Sequence, residues 1–185
     1  MADEQALNPQ WTPGDRRPDL SSMIRVDHAG EYGATRIYAG QLAVLRASSP
    51  AAHLVAHMAA QEERHLARFN QLLAERKVRP TLLQPLWHVG GFALGAVTAL
   101  ISEKAAMACT EAVETEIDKH YEEQLKELRG EDPELSADIR QFQAEELEHR
   151  DTAREHGALE AAGYPLLSAA IRTVCKVAIA ASKRI

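Results

Sequence analysis

Two short segments, Glu62-x-x-His65 and Glu146-x-x-His149, set a carboxylate and an imidazole about one helical turn apart, on the same face. Such a pair suits a divalent metal, because a carboxylate oxygen and a neutral imidazole nitrogen both donate to one ion. Spacing alone decides little: 19 Glu and eight His in 185 residues give roughly one match by chance. Phase decides more. In the first segment the apolar stripe runs Leu54, Val55, Met58, then Glu62 and His65, then Leu66, Phe69, Leu72 and Leu73. In the second it runs Leu135, Ile139, Phe142, then Glu146 and His149, then Ala153. Both follow the three-and-four spacing of a core-facing stripe, so each pair falls where apolar side chains belong. A buried, unpaired carboxylate costs several kcal/mol, and a bound cation removes that cost.

The two halves of the chain agree. Glu31 precedes Glu62 by 31 residues and Glu114 precedes Glu146 by 32. One Glu from each of two helices plus a Glu-x-x-His from each of two more is the donor set of a ferritin-like di-metal bundle. The six candidate metal ligands are therefore Glu31, Glu62, His65, Glu114, Glu146 and His149, a set suited to iron or manganese rather than zinc. Asp27 is the rival of Glu31, or an outer partner for a ligand histidine. Glu145 could reach His149, but its counterpart before His65 is Gln61, so the spacing common to both halves selects Glu146. Among Glu111, Glu114 and Glu116, only Glu114 shares a face with Thr110, Ile117 and Tyr121; the outer acids read as solvated helix surface.

These residues need helices to hold them. Ser21-Ser22 can cap a first helix to about Arg46, and Ser49-Pro50 starts a second that ends near Lys77. A third runs through Arg129 to Gly130, and Asp132-Pro133 opens a fourth to about Ala162. An apolar helix, 166–181, closes the chain before Lys183 and Arg184. No strand-and-turn pattern appears, so the fold class is all-α: a four-helix bundle with added apolar helices, in one domain over 21–185. Residues 1–20 read as a disordered lead-in, and the acidic stretch before Asp15 resembles neither a secretory signal nor an Arg-rich transit peptide. A net charge of −6 speaks against a nucleic-acid partner. Cys109 and Cys175 form no CxxC pair and fit small buried residues of a reducing compartment.

From Thr81 to Ser102 no Asp, Glu, Lys or Arg occurs. The length would suit a membrane span, but one crossing would separate Glu62 and His65 from Glu114. A helix or hairpin lying in the membrane interface keeps them together, with Trp87 and Lys104 as anchors. Gly91 and Gly95 allow close helix packing, including between subunits of a homo-oligomer. A buried capping helix is the alternative. Segment 166–181 could share the lipid-facing side, with Lys183 and Arg184 near phosphates.

Longer motifs carry a resemblance. Ile24-Arg-Val-Asp-His-Ala-Gly-Glu-Tyr-Gly-Ala34, the Glu62/His65 helix, Arg79-Pro80 and Pro85-Leu-Trp87 are similar to the demethoxyubiquinone hydroxylases of ubiquinone biosynthesis. So are Phe92-Ala-Leu-Gly-Ala96, Met107-Ala-Cys-Thr110, His120-Tyr121 and Glu145-Glu-Leu-Glu-His149, the likeness spanning roughly 22–182. The resemblance implies a non-haem di-iron monooxygenase that hydroxylates a prenylated demethoxyubiquinone, or its quinol, with O2 as co-substrate and two irons per chain. It implies NADH as electron donor, although no GxGxxG follows a strand and no residue is assigned to it. It places His120 and Tyr121 near the quinone or the electron route, where the residues alone suggest only a packed tyrosine with a bonded hydroxyl. Glu146 and Glu31 would shift between terminal and bridging roles. It further implies a peripheral protein on the cytoplasmic face of a bacterial inner membrane, or the matrix face of the mitochondrial one for a trimmed eukaryotic chain. An accessory protein of the pathway is an implied partner. The competing readings are a soluble ferritin-like iron oxidase or peroxide reductase, and a metal-free helical scaffold at a membrane surface.

Overall fold

Six helices and one 3-10 turn make up the computed structural model, which describes residue 14 and residues 16–185; most of the expected lead-in lies outside the described residues. No strand occurs among them. The helices are α1 (Leu20–Val44), α2 (Pro50–Glu75), α3 (Gln84–Ile101), α4 (Glu103–Leu128), α5 (Pro133–Glu155) and α6 (Tyr164–Ser182). Their starts follow capping chemistry. The Ser49 hydroxyl accepts from Ala52 N at 3.1 Å ahead of Pro50, and Asp132 accepts from Leu135 N at 3.0 Å ahead of Pro133. Ser102 caps α4 in the same way. The first helix departs from expectation: Asp19, not the serine pair, is the cap, accepting from Ser22 N at 3.0 Å. The Ser22 hydroxyl instead donates to the Lys183 carbonyl at 2.8 Å, tying the chain end to α1. Helix α5 stops at Glu155 rather than near Ala162, because Gly157 turns into the left-handed region with φ of 87°.

Helices α1, α2, α4 and α5 form the bundle; α3 lies along α1 and α6 along α4. Its interior alternates along the axis. One apolar cluster contains Ala34, Tyr38, Val55, Met58, Met107 and Ala153. Another contains Ile24, Phe69, Leu72, Leu128, Leu135 and Ile139. Between them every bundle helix contributes a charged residue, so the site is a polar layer with apolar layers on either side. Helices α2 and α5 are joined by His65 to Glu146 at 3.1 Å within that layer, and beyond it by Arg68 to Asp138 at 2.7 Å and Arg76 to Asp132 at 2.5 Å.

The uncharged stretch is one helix, not a hairpin. A Cβ at Gly95 would overlap the Ile37 carbonyl, and one at Gly40 would overlap that of Phe92, so α1 and α3 meet backbone to backbone. Gly91 and Gly95 therefore serve packing within the chain. The buried-cap reading fails, since only Gly95, Thr98 and Ala99 of α3 are buried. Leu86, Val89, Val97 and Leu100 of α3 are exposed, as are Leu166, Val174 and Val177 of α6. Trp87, expected as an interface anchor, donates its indole N–H to Ser182 at 3.2 Å and links α3 to α6; Lys104 pairs with Glu160. Among the described residues α6 alone is long and apolar enough to cross a membrane by length and composition, and only 17% of it is buried. Cys109 is buried and Cys175 half-buried; burial pushes both thiols up to about 12, so they stay protonated and inert.

Gly95→Val forces a branched side chain into the Ile37 backbone, an overpacking cost of about 1–3 kcal/mol or more. At roughly 2–4 °C per kcal/mol for a chain of this size, the melting temperature should fall by about 5–10 °C. Gly90→Ala, where nothing lies within 4 Å, should leave it unchanged or slightly higher. Thermal denaturation followed by circular dichroism reads both.

Candidate metal centre

The polar layer draws one carboxylate from α1 (Glu31) and one from α4 (Glu114), and a Glu and His each from α2 and α5. Glu31, Glu62, His65, Glu114, Glu146 and His149 are each no more than 1% exposed. The structure brings all six together. Glu31, Glu62, His65 and Glu146 offer donor atoms within 4.8 Å of one another, and so do Glu62, Glu114, Glu146 and His149. Glu62 and Glu146 belong to both groups, so the two carboxylates shared between them are Glu62 and Glu146; Glu31, expected to alternate with Glu146, falls in one group only. His65 Nδ1 lies 3.1 Å from Glu146 and 3.4 Å from Glu31. His149 Nδ1 lies 3.0 Å from Glu146 and 3.2 Å from Glu62.

Four carboxylates and two imidazoles leave the layer short of positive charge. Among the described residues, both Glu62 oxygens and one of Glu114 are buried without any hydrogen-bond partner. Each such atom costs a large part of its hydration energy unless a cation meets it, so the donor set fits two divalent ions. Titration behaviour tells the same story. Burial, then the charges of Glu146, Glu31 and Glu114, raises Glu62 well above the usual carboxylate range. Burial and Glu146 raise Glu114 likewise, and burial raises Glu146. Burial alone would lower His65, but its contacts with Glu146 and Glu31 outweigh that and push it up to about 11. Burial would raise Glu31, yet the same His65 contact brings it below the usual value. Burial lowers His149. Without metal, a proton on His65 supplies the positive charge facing Glu31 and Glu146.

An outer ring of contacts orients the donors. The Tyr38 hydroxyl donates to Glu114 at 2.8 Å, and that of Tyr121 donates to Glu31. His65 Nε2 faces Glu145 at 3.0 Å and His149 Nε2 faces the Gln61 carbonyl at 3.1 Å, so both rings present Nδ1 inward. Glu145 thus crosses to the histidine of the opposite helix instead of reaching His149. Asp27 does not meet a ligand histidine: it pairs with His120 Nε2 at 2.9 Å and accepts from Gln124 at 2.8 Å. Glu111 and Glu116 are buried, not solvated. Glu111 is held by Arg154 at 2.7 Å and Tyr164 at 2.8 Å, and Glu116 by Arg172 at 2.7 Å, which fastens α6 to the bundle. Tyr38 and Glu145 carried a signal that spacing could have used: Tyr38 follows Glu31 as Tyr121 follows Glu114, and Glu145 matches Gln61.

Residues 18–182 match the family model described as ubiquinone biosynthesis protein COQ7. The chain belongs to the COQ7 family. It is 54% identical over 175 residues to the 3-demethoxyubiquinol 3-hydroxylase of Rhodospirillum rubrum, covering 94% of this chain and 82% of that one. It is 51% identical over 172 residues to the NADPH-dependent 3-demethoxyubiquinone 3-hydroxylase, mitochondrial, of Mus musculus, covering 91% and 79%. With the 5-demethoxyubiquinone hydroxylase, mitochondrial, of Saccharomyces cerevisiae it shares 47% over 184 residues, covering 90% and 78%. The six-helix, strand-free fold is consistent with the ferritin-like bundle of the COQ7 family. The mouse relative's name specifies NADPH, so NADH is not supported by it.

Metal entering this COQ7-family site must displace the proton of His65, pushed up to about 11 by Glu146 and Glu31, beside carboxylates Glu62, Glu114 and Glu146 that burial raises above the ordinary range. Affinity should therefore rise with pH across the neutral range, and binding should release protons. Calorimetry of Fe(II) or Mn(II) binding in buffers of different ionisation enthalpy measures that release; a buffer-independent heat would contradict it.

Proposed function

We propose that this chain is a di-iron hydroxylase that oxidises the ring of a prenylated demethoxyubiquinol, or demethoxyubiquinone, in ubiquinone biosynthesis. One observation carries the reading: a fully buried layer of four carboxylates and two imidazoles in which, among the described residues, both Glu62 oxygens and one each of Glu31 and Glu114 have no hydrogen-bond partner. Glu31 and His65 would hold one iron, Glu114 and His149 the other, with Glu62 and Glu146 between them. The iron pair, when bound, supplies the activation of O2. The chain supplies the rest. Apolar layers above and below exclude water, while Tyr38 and Tyr121 hold the outer carboxylates by hydroxyl protons that burial keeps in place.

Tyr121 touches a candidate ligand directly, and His120 lies beside it in the Asp27–Gln124 cluster. That proximity supports a place for this pair at the quinone head or on the electron route. Two reduced nicotinamides are candidate donors: NADH, which the family resemblance favours, and NADPH, which relatives' names carry. The exposed apolar faces of α3 and α6 support a peripheral seat on a membrane that delivers the prenyl substrate. The matching relatives from mouse and yeast are named mitochondrial, which favours the matrix face for a eukaryotic chain and the cytoplasmic face of the inner membrane for a bacterial one. A pathway accessory protein and a second copy of the chain are the partners that such a surface could take. Residues 21–185 act as one domain.

Iron-loaded protein on lipid vesicles, given a demethoxyquinone, O2 and either nicotinamide, should yield hydroxylated product that disappears without O2. Iron-replete protein that makes none with either donor would sink the reading. Glu146→Ala removes a donor shared by both groups, so it should drop iron content well below two per chain and activity by at least about 100-fold. Leu100→Glu with Val177→Glu places charge on the apolar faces; each should weaken vesicle binding by roughly tenfold or more in a flotation assay.

A further inference from the structure

The two halves of the site are built as a repeat. Glu31 and Glu114, Tyr38 and Tyr121, Glu62 and Glu146, and His65 and His149 occupy matching places on α1 and α4 or on α2 and α5. Their contacts repeat with the partners exchanged. Tyr38 reaches Glu114 while Tyr121 reaches Glu31. Gln61 on α2 meets His149 on α5, while Glu145 on α5 meets His65 on α2. Even the flanking amides match: Gln41 donates to the Ala106 carbonyl and lies 3.4 Å from Thr110, and Gln124 donates to Asp27. Against this background two differences stand out. Where one half has Gln61 the other has Glu145, and where one has Thr110 and Ile37 the other has Asp27 and His120. Both differences fall on the same side, around His65 and one turn from Glu31.

The first difference acts directly on a donor. Gln61 gives an amide N–H to Glu145 at 3.4 Å and turns its carbonyl to His149 at 3.1 Å. Glu145 receives His65 at 3.0 Å and is held in place by Arg64 at 3.3 Å and Gln141 at 3.1 Å. A single run of hydrogen bonds, His149–Gln61–Glu145–His65, therefore fixes both rings. It ends on a neutral amide at one ring and on a carboxylate at the other. A carboxylate accepting the outer N–H pulls the proton more strongly and makes the inner nitrogen the better donor. We propose that Glu145 is a positioning residue that acts through His65 to make the two metal positions unequal, so that the Glu31–His65 position binds its ion more tightly than the Glu114–His149 position. This rests on the di-metal reading above.

Glu145→Gln tests it with little disturbance, because the new amide keeps the shape and can still accept from His65. Anaerobic titration of the full chain with Co(II) should show two steps in the wild type, the first at least about tenfold tighter. In Glu145→Gln the tighter step should weaken by about tenfold or more, while the weaker one moves by less than about threefold. Gln61→Met, which removes the acceptor from His149, should weaken only the second step. Circular dichroism confirms that each variant is folded. A folded Glu145→Gln that weakens both steps alike, or neither, or only the weaker one, would overturn the proposal. Should that variant not fold, the wild type still decides. A Mössbauer spectrum at one iron per chain should be dominated by one ferrous doublet, and two equal doublets would overturn the proposal. A wild type that binds no Co(II) or iron at all would instead remove the di-metal reading beneath it.

Discussion

Four carboxylates packed into one apolar-walled layer set the terms for everything else in this molecule. Charges so placed repel one another and lose their hydration, each at a cost of several kcal/mol. One imidazole, His65, relieves part of that, because Glu146 and Glu31 push it up to about 11, whereas burial lowers His149. Divalent cations relieve more, since each meets several oxygens at once. A purely apolar layer at this level would stabilise the bundle better, so the layer is explained by chemistry and not by folding. The surroundings follow from that constraint. Close-packed clusters above and below hold the four helices firmly enough to tolerate it, and the ion pairs from Arg68 and Arg76 hold α2 to α5 to one side of it.

Geometry at such a layer depends on groups that never touch metal. Each terminal carboxylate has one oxygen engaged by a buried tyrosine, which leaves the other free to point inward. Each imidazole has its outer nitrogen engaged by a residue from the opposite helix, which leaves Nδ1 inward. These exchanges stitch α1 to α4 and α2 to α5 through the site itself. The donors are thus oriented before any ion arrives, so less ordering is needed on binding.

Much of this was legible in the residues. Helical phase put Glu62, His65, Glu146 and His149 inside, and matched intervals added Glu31 and Glu114; all six meet in the structure. What phase cannot convey is which side chain on another helix a residue will face. Glu145 therefore read as within reach of His149 although it spans to His65, and Asp27 read as a rival of Glu31 or an outer partner of a ligand histidine although its histidine is His120. Glu111 and Glu116 read as solvated because their cations, Arg154 and Arg172, lie far along the chain on helices whose docking was unknown. Local signals also competed: Asp19 outdid the serines as a cap, and Gly157 ended α5 early. Much of the lead-in expected over residues 1–20 falls outside the described residues.

The packing of α3 bears on how an apolar substrate could reach so enclosed a centre. Helices normally lie about 8–10 Å apart, and glycine contacts such as those of Gly40 and Gly95 belong at the short end of that range. Helix α3, with its exposed leucines and valines, therefore packs directly on α1, the helix that carries Glu31. Helix α6 packs on α4, the helix that carries Glu114. Both outer helices thus bring an apolar surface close to the bundle without opening its polar layer to water. The outer helices are held to the bundle by glycine contacts on one side and by the buried Glu111 and Glu116 on the other. Charge at the centre and bare hydrocarbon at the surface coexist in 185 residues because α1 and α4 each carry a buried carboxylate and each pack against an outer apolar helix.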